Sequence, residues 1–264
     1  MILCLDIGNT NIYAGVLNDS GVCLRFRYPT EKAACTSDLF GVFLMDVLRE
    51  HDIQPESIQA ISACSVVPAL EYSIRSACVK YLSCEPLFLA PGVKAGVKLA
   101  LKNPQTLGAD RLATAVAAVN RYPNRSLIIL DFGTATTVCA VRSDKTYLGG
   151  AIFPGIKTCM ESLTQKTAKL SAVTIVDDPV SLGKTTEENI QSGLYYGQLG
   201  AAMMLVDRYQ ETVFKDDSAL VIATGGYAHL FQDEGLFDHM EPDLVLYGLE
   251  LIWEKNTSCQ RLTH

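Results

Sequence analysis

No apolar run in the sequence approaches the roughly 18 residues of a membrane helix, so a spanning segment is not expected. Clusters of lysine and arginine are missing too. With a net charge of −7 and a pI near 5.1, that excludes a nucleic-acid surface built on phosphate neutralisation. The first residues carry no basic stretch, and Asp6 interrupts their apolar run, which argues against a secretory leader. Nine cysteines are present, an odd number. None falls in C-x-x-C or a zinc spacing, so free thiols in a reducing compartment are expected. The four histidines show no metal-pair spacing. There is no linker and no low-complexity segment. A Walker A loop is absent as well. "GKTT" at Gly183–Thr186 suggests one, but Asp178 stands where the first glycine is required and Pro179 follows it. A cytoplasmic enzyme of one large or two modest domains is the expectation.

What is present is a repeated pattern. Residues 1–6, 12–17 and 22–28 read as strands. A helix is expected over Ser37–His51, with Leu39, Val42, Phe43, Val47 and Leu48 on its inner face and Ser37 or Asp38 as its cap. A buried strand follows in "IQAISACSVVP" (Ile58–Pro68), then a helix at Tyr72–Leu82, a short strand at Pro86–Pro91, and a loop or short strand up to Pro104. A long apolar helix opens at Asp110 and stops before Pro123. The sequence "SLIILDFGTATTVCAV" (Ser126–Val141) then restarts the opening pattern. Leu5-Asp6-Ile7-Gly8-Asn9-Thr10 aligns with Leu130-Asp131-Phe132-Gly133-Thr134-Ala135. A turn and strand near "KTYLGGAIFPG", helices at Lys157–Leu163 and Glu187–Phe214, a strand ending in Gly225–Gly226 and a helix from Pro242 or Asp243 complete the chain. Repetition on this scale predicts two related α/β halves, 1–122 and 123–264.

Each Asp-x-Gly turn follows an apolar strand. Glycine lets the chain turn where a side chain would not fit. The residues after it offer hydroxyls, amides and backbone N–H groups, which suit a phosphate chain. An acid beside a phosphate requires a cation between them, and the two acids can supply that. "TGG" (Thr224–Gly226) allows close approach of a flat group to backbone, or is a plain strand-to-helix turn. "GADR" (Gly108–Arg111) opens a helix. Asp110 there either complements the helix dipole or, with Arg111, orients a substrate hydroxyl and holds an anion. Gly193, Gly197 and Gly200 share one face of the long helix. Glycine costs a helix about 1 kcal/mol against alanine, so that face meets either another part of the chain or a second subunit.

In order along the chain, "DIGNTN" (6–11), "SVVP" (65–68), "NPQTLGADR" (103–111), "DFGTATT" (131–137), "GGAIFPGI" (149–156), "NIQSGLYYG" (189–197) and "TGG" resemble the type III pantothenate kinase family over essentially the whole chain. The resemblance implies two ribonuclease-H-like halves of the acetate and sugar kinase/Hsp70/actin superfamily, with nucleotide in the interdomain cleft. It implies ATP-dependent phosphorylation of pantothenate to 4'-phosphopantothenate, the first step of coenzyme A biosynthesis, by a homodimer. By motif, Asp6, Ile7, Gly8, Asn9, Thr10, Asn11, Ile12 and Tyr13 form the first phosphate loop, and Thr134 contacts ATP from the second. Asp131 resembles the residue that holds a monovalent cation, K⁺ or NH₄⁺. Asp6 is the acid for Mg²⁺ on the phosphates. Asp110 resembles the catalytic base. Gly108, Ala109, Asp110 and Arg111 line the pantothenate pocket, and Thr186 matches a substrate-contacting threonine. Two positions depart from the family pattern: Cys139, where many relatives have Asp, and Leu101, where many have Tyr. The alternatives are another small-molecule kinase on this fold and a non-catalytic regulatory relative.

Overall fold

The computed structural model describes residues 1–30, 35–167, 170–215 and 217–257. In chain order the elements are β1 (Ile2–Ile7), β2 (Asn11–Asn18), β3 (Gly21–Pro29), α1 (Ser37–Glu50), β4 (Ala60–Ser65), α2 (Pro68–Leu82), β5 (Leu87–Phe88), β6 (Lys98–Leu99), α3 (Ala109–Arg121), β7 (Leu127–Phe132), β8 (Ala135–Val141), β9 (Thr146–Pro154), α4 (Ile156–Lys166), α5 (Thr186–Thr212), β10 (Leu220–Thr224), β11 (His239–Met240) and α6 (Leu244–Thr257). Three short 3₁₀ turns and β11 carry no periodic signal long enough to be read in the sequence.

Two compact units result. One comprises Met1–Gly96, Asn103–Asn120 and the segment that begins at Asp243. The other comprises Val97–Lys102 and Arg121–Pro242. The expected division at 122/123 lies close to one crossing between them. It differs in that α6 belongs to the first unit and β6 to the second. The reasons are local. Ser62 Oγ in β4 donates to Leu249 O in α6 at 2.8 Å, and β6 pairs in parallel with β9.

The internal repeat is real at the level of topology. The first unit's sheet runs β3-β2-β1-β4-β5, and the second's runs β11-β10-β7-β8-β9-β6. Stripped of β6, the second is the same order: an antiparallel meander flanked by parallel strands. Side chains alternate across a strand, which gives each sheet two distinct faces. On one face of the first sheet Leu3, Leu5, Ile7, Ile12, Ala14, Val16, Ile61 and Ala63 join Phe40, Leu44, Leu48, Leu70 and Ile74 of α1 and α2 in one core. In the second, Ile128, Leu130, Phe132, Val138 and Ala223 do the same with Ile156 of α4 and Leu194, Leu199 and Ala202 of α5.

The inner face of α1 is the expected one only in part: Leu48 is in the core and Val47 packs against it. Phe40, Gly41, Leu44 and Leu48 are buried, whereas Leu39 and Val42 are 55% and 52% exposed. The cause is α2. A Cβ at Gly41 would collide with the Tyr81 ring, so this helix approaches along its glycine and the stripe rotates. The cap is Thr36, whose Oγ1 accepts from Leu39 N. Asp38 instead accepts from Lys80 and Tyr81 at 2.6 and 2.9 Å. All eight described cysteines are free thiols, and Cys259 lies outside the described residues.

The opposite face of the first sheet is covered by α6. A Cβ at Gly15 would meet Leu246 Cδ1 at 2.6 Å. Helix α3, buried continuously from Ala113 to Val119, lies against α6 so closely that a Cβ at Gly248 would collide with the Ala113 carbonyl. At the mouth of α6, Asp243 accepts from Tyr13 Oη at 2.6 Å and from Arg25 Nε at 2.8 Å, and Arg25 also reaches its second oxygen. The Arg27 guanidinium lies 4.6 Å from the Tyr13 ring centroid. Burial works to raise the Asp243 carboxyl, but the bonds from Arg25 and Tyr13 outweigh it and hold it below its ordinary value.

Gly248→Ala sets a gain of about 1 kcal/mol in helix propensity against overpacking that costs about 1–3 kcal/mol. With backbone as the obstacle, the second is expected to win, and denaturant unfolding should show net destabilisation; a stabilised variant would contradict the close α3–α6 contact. Asp243→Asn is expected to cost about 2 kcal/mol at neutral pH, the scale of hydrogen bonds to a charged group. A carboxyl depressed by folding stabilises above its unfolded value of about 3.9 and loses that contribution as pH falls through its folded value. The stability gap between wild type and variant should therefore hold at pH 7 and close below about pH 4; a gap independent of pH would contradict the network.

Candidate active site

The turn expected to be the first phosphate loop is tight and braced. Gly8 N donates to Asn11 O at 3.1 Å, and a Cβ on Gly8 would sit 2.9 Å from that same oxygen. Thr30 holds the turn from behind, its Oγ1 donating to Gly8 O at 2.8 Å and its N to Thr10 O at 3.0 Å. Ile7 and Ile12 are buried as anchors, while Asn9, Thr10 and Asn11 are exposed. Tyr13 is already in β2, and its hydroxyl is engaged by Asp243. Burial, then Asp243, pushes that hydroxyl well above the usual tyrosine range.

Asp6 stands at the end of β1, half-buried, on the face opposite the α1/α2 core. Its Oδ1 accepts from Cys64 Sγ at 3.2 Å. Val66 N donates to Ile7 O at 3.0 Å and Val67 N to Ser65 Oγ at 3.1 Å, so "SVVP" folds over the strand ends and Pro68 starts α2.

Asp110 occupies the first turn of α3, where a negative charge complements the helix dipole. Its Oδ1 accepts from the backbone N of Arg111 at 2.7 Å. A Cβ on Gly108 would collide with this carboxylate, so the glycine of "GADR" makes room for the acid. Ala109, Asp110 and Arg111 are half-buried. Burial pushes the Cys64 thiol well up, and the charges of Asp6 and Asp110 both add to the effect.

In the second unit, Asp131 ends β7 as Asp6 ends β1. Gly133 N donates to Ala135 O at 3.1 Å. Thr134 is exposed, and its carbonyl accepts from Gly155 N at 3.0 Å and Thr158 Oγ1 at 2.6 Å. The "TGG" turn folds against this one. Thr224 is the register partner of Asp131. Gly225 has φ +91, and a Cβ there would come within 2.6 Å of Phe132 N. The requirement for Gly225 is thus met inside the protein. Around Gly226 nothing lies within 4 Å of a would-be Cβ. Cys139 is buried and accepts from Tyr147 Oη at 3.1 Å. Leu101 is half-buried, 3.8 Å from the position of a Cβ on Gly149.

Thr186 begins α5 and is exposed. It belongs to the second unit, whereas Asp110 belongs to the first. The residues before it form a capping box: Glu188 N donates to Thr185 Oγ1 at 3.2 Å, and Thr185 N to Glu188 Oε2 at 3.1 Å. "GKTT" is therefore a helix start and not a phosphate loop.

Among the described residues no three His, Cys, Asp or Glu side chains gather into a metal cage. Mg²⁺ keeps several waters and is bound by one or two carboxylates together with substrate phosphates. Asp6, beside a loop that a Cβ on Gly8 would crowd, has the chemistry for it. Sequence reading missed Cys64, Arg25 and Asp243. Only strand register and tertiary packing bring them to the site's first loop.

The family model described as type III pantothenate kinase matches residues 2–208. Type III pantothenate kinase 1 of Francisella tularensis subsp. holarctica is 52% identical over 97% of this chain and 100% of its own length. The type III pantothenate kinase of Legionella pneumophila is 50% identical over 98% of this chain and 100% of its own. A solved structure named as a 2-dehydro-3-deoxygalactonokinase protein of Sinorhizobium meliloti covers 97% of this chain and 96% of its own at TM-score 0.60 and 12% identity, a likeness of fold. The paired Asp-Gly turns, the acid opening α3 and these matches lead to one conclusion: the chain belongs to the type III pantothenate kinase family.

Proposed function

We propose that the chain transfers the γ-phosphoryl group of ATP to the primary hydroxyl of pantothenate, giving 4'-phosphopantothenate at the start of coenzyme A biosynthesis, with Asp110 as the base. The family assignment supports the reaction. The observation that supports the assignment of roles is that Asp110 stands in the first turn of α3, in the same unit as Asp6, with its Oδ1 held by the Arg111 backbone N–H.

Phosphoryl transfer asks a protein mainly for positioning and charge stabilisation. The exposed turn 8–11 offers backbone N–H groups and the Asn9, Thr10 and Asn11 side chains to phosphate oxygens, and the exposed Thr134 is a further ATP contact. Asp110 accepts the proton of the pantothenate hydroxyl as its oxygen attacks in line. Arg111, next to it, balances the substrate carboxylate or steadies Asp110, and Thr186 contacts the same substrate. Mg²⁺, when bound, neutralises phosphate charge, and Asp6 holds it directly or through water. Asp131 holds a monovalent cation, K⁺ or NH₄⁺.

The protein works as a homodimer in the cytoplasm. Among the described residues, the face of α5 that carries Gly193, Gly197 and Gly200 meets nothing within 4 Å of a would-be Cβ, so packing against them does not account for these glycines. Tyr196, Met203 and Met204 on the same helix are 38%, 43% and 61% exposed. Met204→Glu is expected to turn a dimer into a monomer in sedimentation velocity. A monomeric wild type at micromolar concentration, or an unaffected variant, would contradict this face as the interface.

In a coupled assay of ATP turnover, pantothenate-dependent activity that requires K⁺ or NH₄⁺ is expected. Asp110→Asn should lower kcat by about 10²–10⁴-fold, the usual contribution of a general base, while ATP binding persists. ATP binding without pantothenate-dependent turnover in any cation would overturn the kinase reading.

A further inference from the structure

The turn 8–11 reads Gly-Asn-Thr-Asn, and neither it nor Ile12 and Tyr13 after it supplies a lysine or arginine. The lysine of "GKTT" belongs to the second unit, ahead of α5. Strand register brings cations from β3 instead. Tyr13 on β2 is the partner of Asp6 on β1 and of Arg27 on β3. Residues so paired leave the sheet on one face, side by side. Arg25, two residues back along β3, shares that face. The two arginines are used differently. Arg25 donates to both oxygens of Asp243. Arg27 is exposed, with its guanidinium carbon 4.6 Å from the Tyr13 ring centroid. Among the described residues no carboxylate pairs with it. Burial and Asp243 keep the Tyr13 hydroxyl protonated, so two guanidiniums face one carboxylate and one positive charge is left over. The ring face satisfies the Arg27 cation without using its N–H groups. Asp243 fixes that ring through the Tyr13 hydroxyl at 2.6 Å. The strand that carries Arg27 is also fastened to the turn, because Thr30 Oγ1 donates to Gly8 O at 2.8 Å. The Tyr13–Arg27 pair follows the Asn11–Pro29 pair by two residues, about 7 Å along the strand, a span that an arginine side chain covers.

We propose that Arg27 is a nucleotide-binding residue whose guanidinium pairs with the phosphate chain of Mg²⁺·ATP at the turn 8–11. The inference rests on the role given to that turn above. A triphosphate carries more negative charge than one Mg²⁺ cancels, and the Asp6 carboxylate adds to the excess. A surplus cation on the same face of the sheet offsets it. The planar fork of a guanidinium matches two phosphate oxygens at once. Stacking on Tyr13 holds the side chain before the nucleotide arrives, so less conformational freedom is lost on binding.

The test compares wild type, Arg27→Gln, Arg27→Lys and Gly8→Ala by calorimetric titration with Mg²⁺·ATP and by steady-state kinetics. Arg27→Gln is expected to bind Mg²⁺·ATP about tenfold to a hundredfold more weakly, the effect of hydrogen bonds to a charged group. KM for Mg²⁺·ATP should rise by a similar factor, while KM for pantothenate stays within about twofold of wild type. Arg27→Lys keeps the charge and loses the fork, so its affinity should fall between those of wild type and Arg27→Gln. Unchanged Mg²⁺·ATP binding in Arg27→Gln would overturn the proposal. So would a rise confined to KM for pantothenate, which would give the guanidinium to the substrate carboxylate. A lysine variant as impaired as the glutamine variant, with both melting temperatures lowered alike, would make the residue structural and overturn it too. Gly8→Ala separates this failure from failure of the turn itself, because its Cβ would sit 2.9 Å from Asn11 O. If Gly8→Ala weakens Mg²⁺·ATP binding and Arg27→Gln does not, the role of Arg27 alone fails. If Gly8→Ala binds Mg²⁺·ATP like wild type, the turn is not the phosphate site, and the proposal falls with that reading.

Discussion

The structure depends on the register of one strand in each unit. β1 and β7 are buried except at a single residue near the C-terminal end, and that residue is an aspartate in both: Asp6 and Asp131. Alternation sends Leu5 and Ile7 into the core on one side and Asp6 to the other. A slip of one residue would drive the carboxylate into that core at a cost of several kcal/mol. The apolar pattern that folds each sheet therefore also fixes which way its acid points.

Around that constraint the first unit spends small residues to bring helices close. Gly248 on α6 and the alanines of α3 permit backbone contact, and α3 delivers Asp110 from its first turn. Gly108 contributes by having no side chain where the Asp110 carboxylate curls back. The Tyr13–Asp243–Arg25 group ties β2 and β3 to the start of α6, which anchors the strand that leaves the phosphate turn. In the second unit the same economy appears at Gly225, which lets the turn after β10 close onto Phe132 beside Asp131.

Much of this was legible in the sequence because it is local. The Asp-Gly turns follow strongly apolar strands, and the repeat "LDIGNT/LDFGTA" announces two similar halves. The unread parts are set by distant packing. The inner face of α1 is decided by Tyr81 of α2 pressing on Gly41. The return of α6 to the first unit is decided by the complementary surfaces of Ser62, Gly15 and Gly248. Cys64 gave no signal beside Asp6 because the two are paired across strands far apart in the chain. No spacing rule along the chain reports that.

The measurement that bears most directly on the central claim is a crystal structure of the full-length protein with pantothenate and a non-hydrolysable ATP analogue with Mg²⁺. An Asp110 carboxylate oxygen about 2.6–3.2 Å from the primary hydroxyl of pantothenate, the reach a general base needs, is the expected result. A hydroxyl held by another side chain, with Asp110 turned away and no water between them, would contradict the assignment of the base.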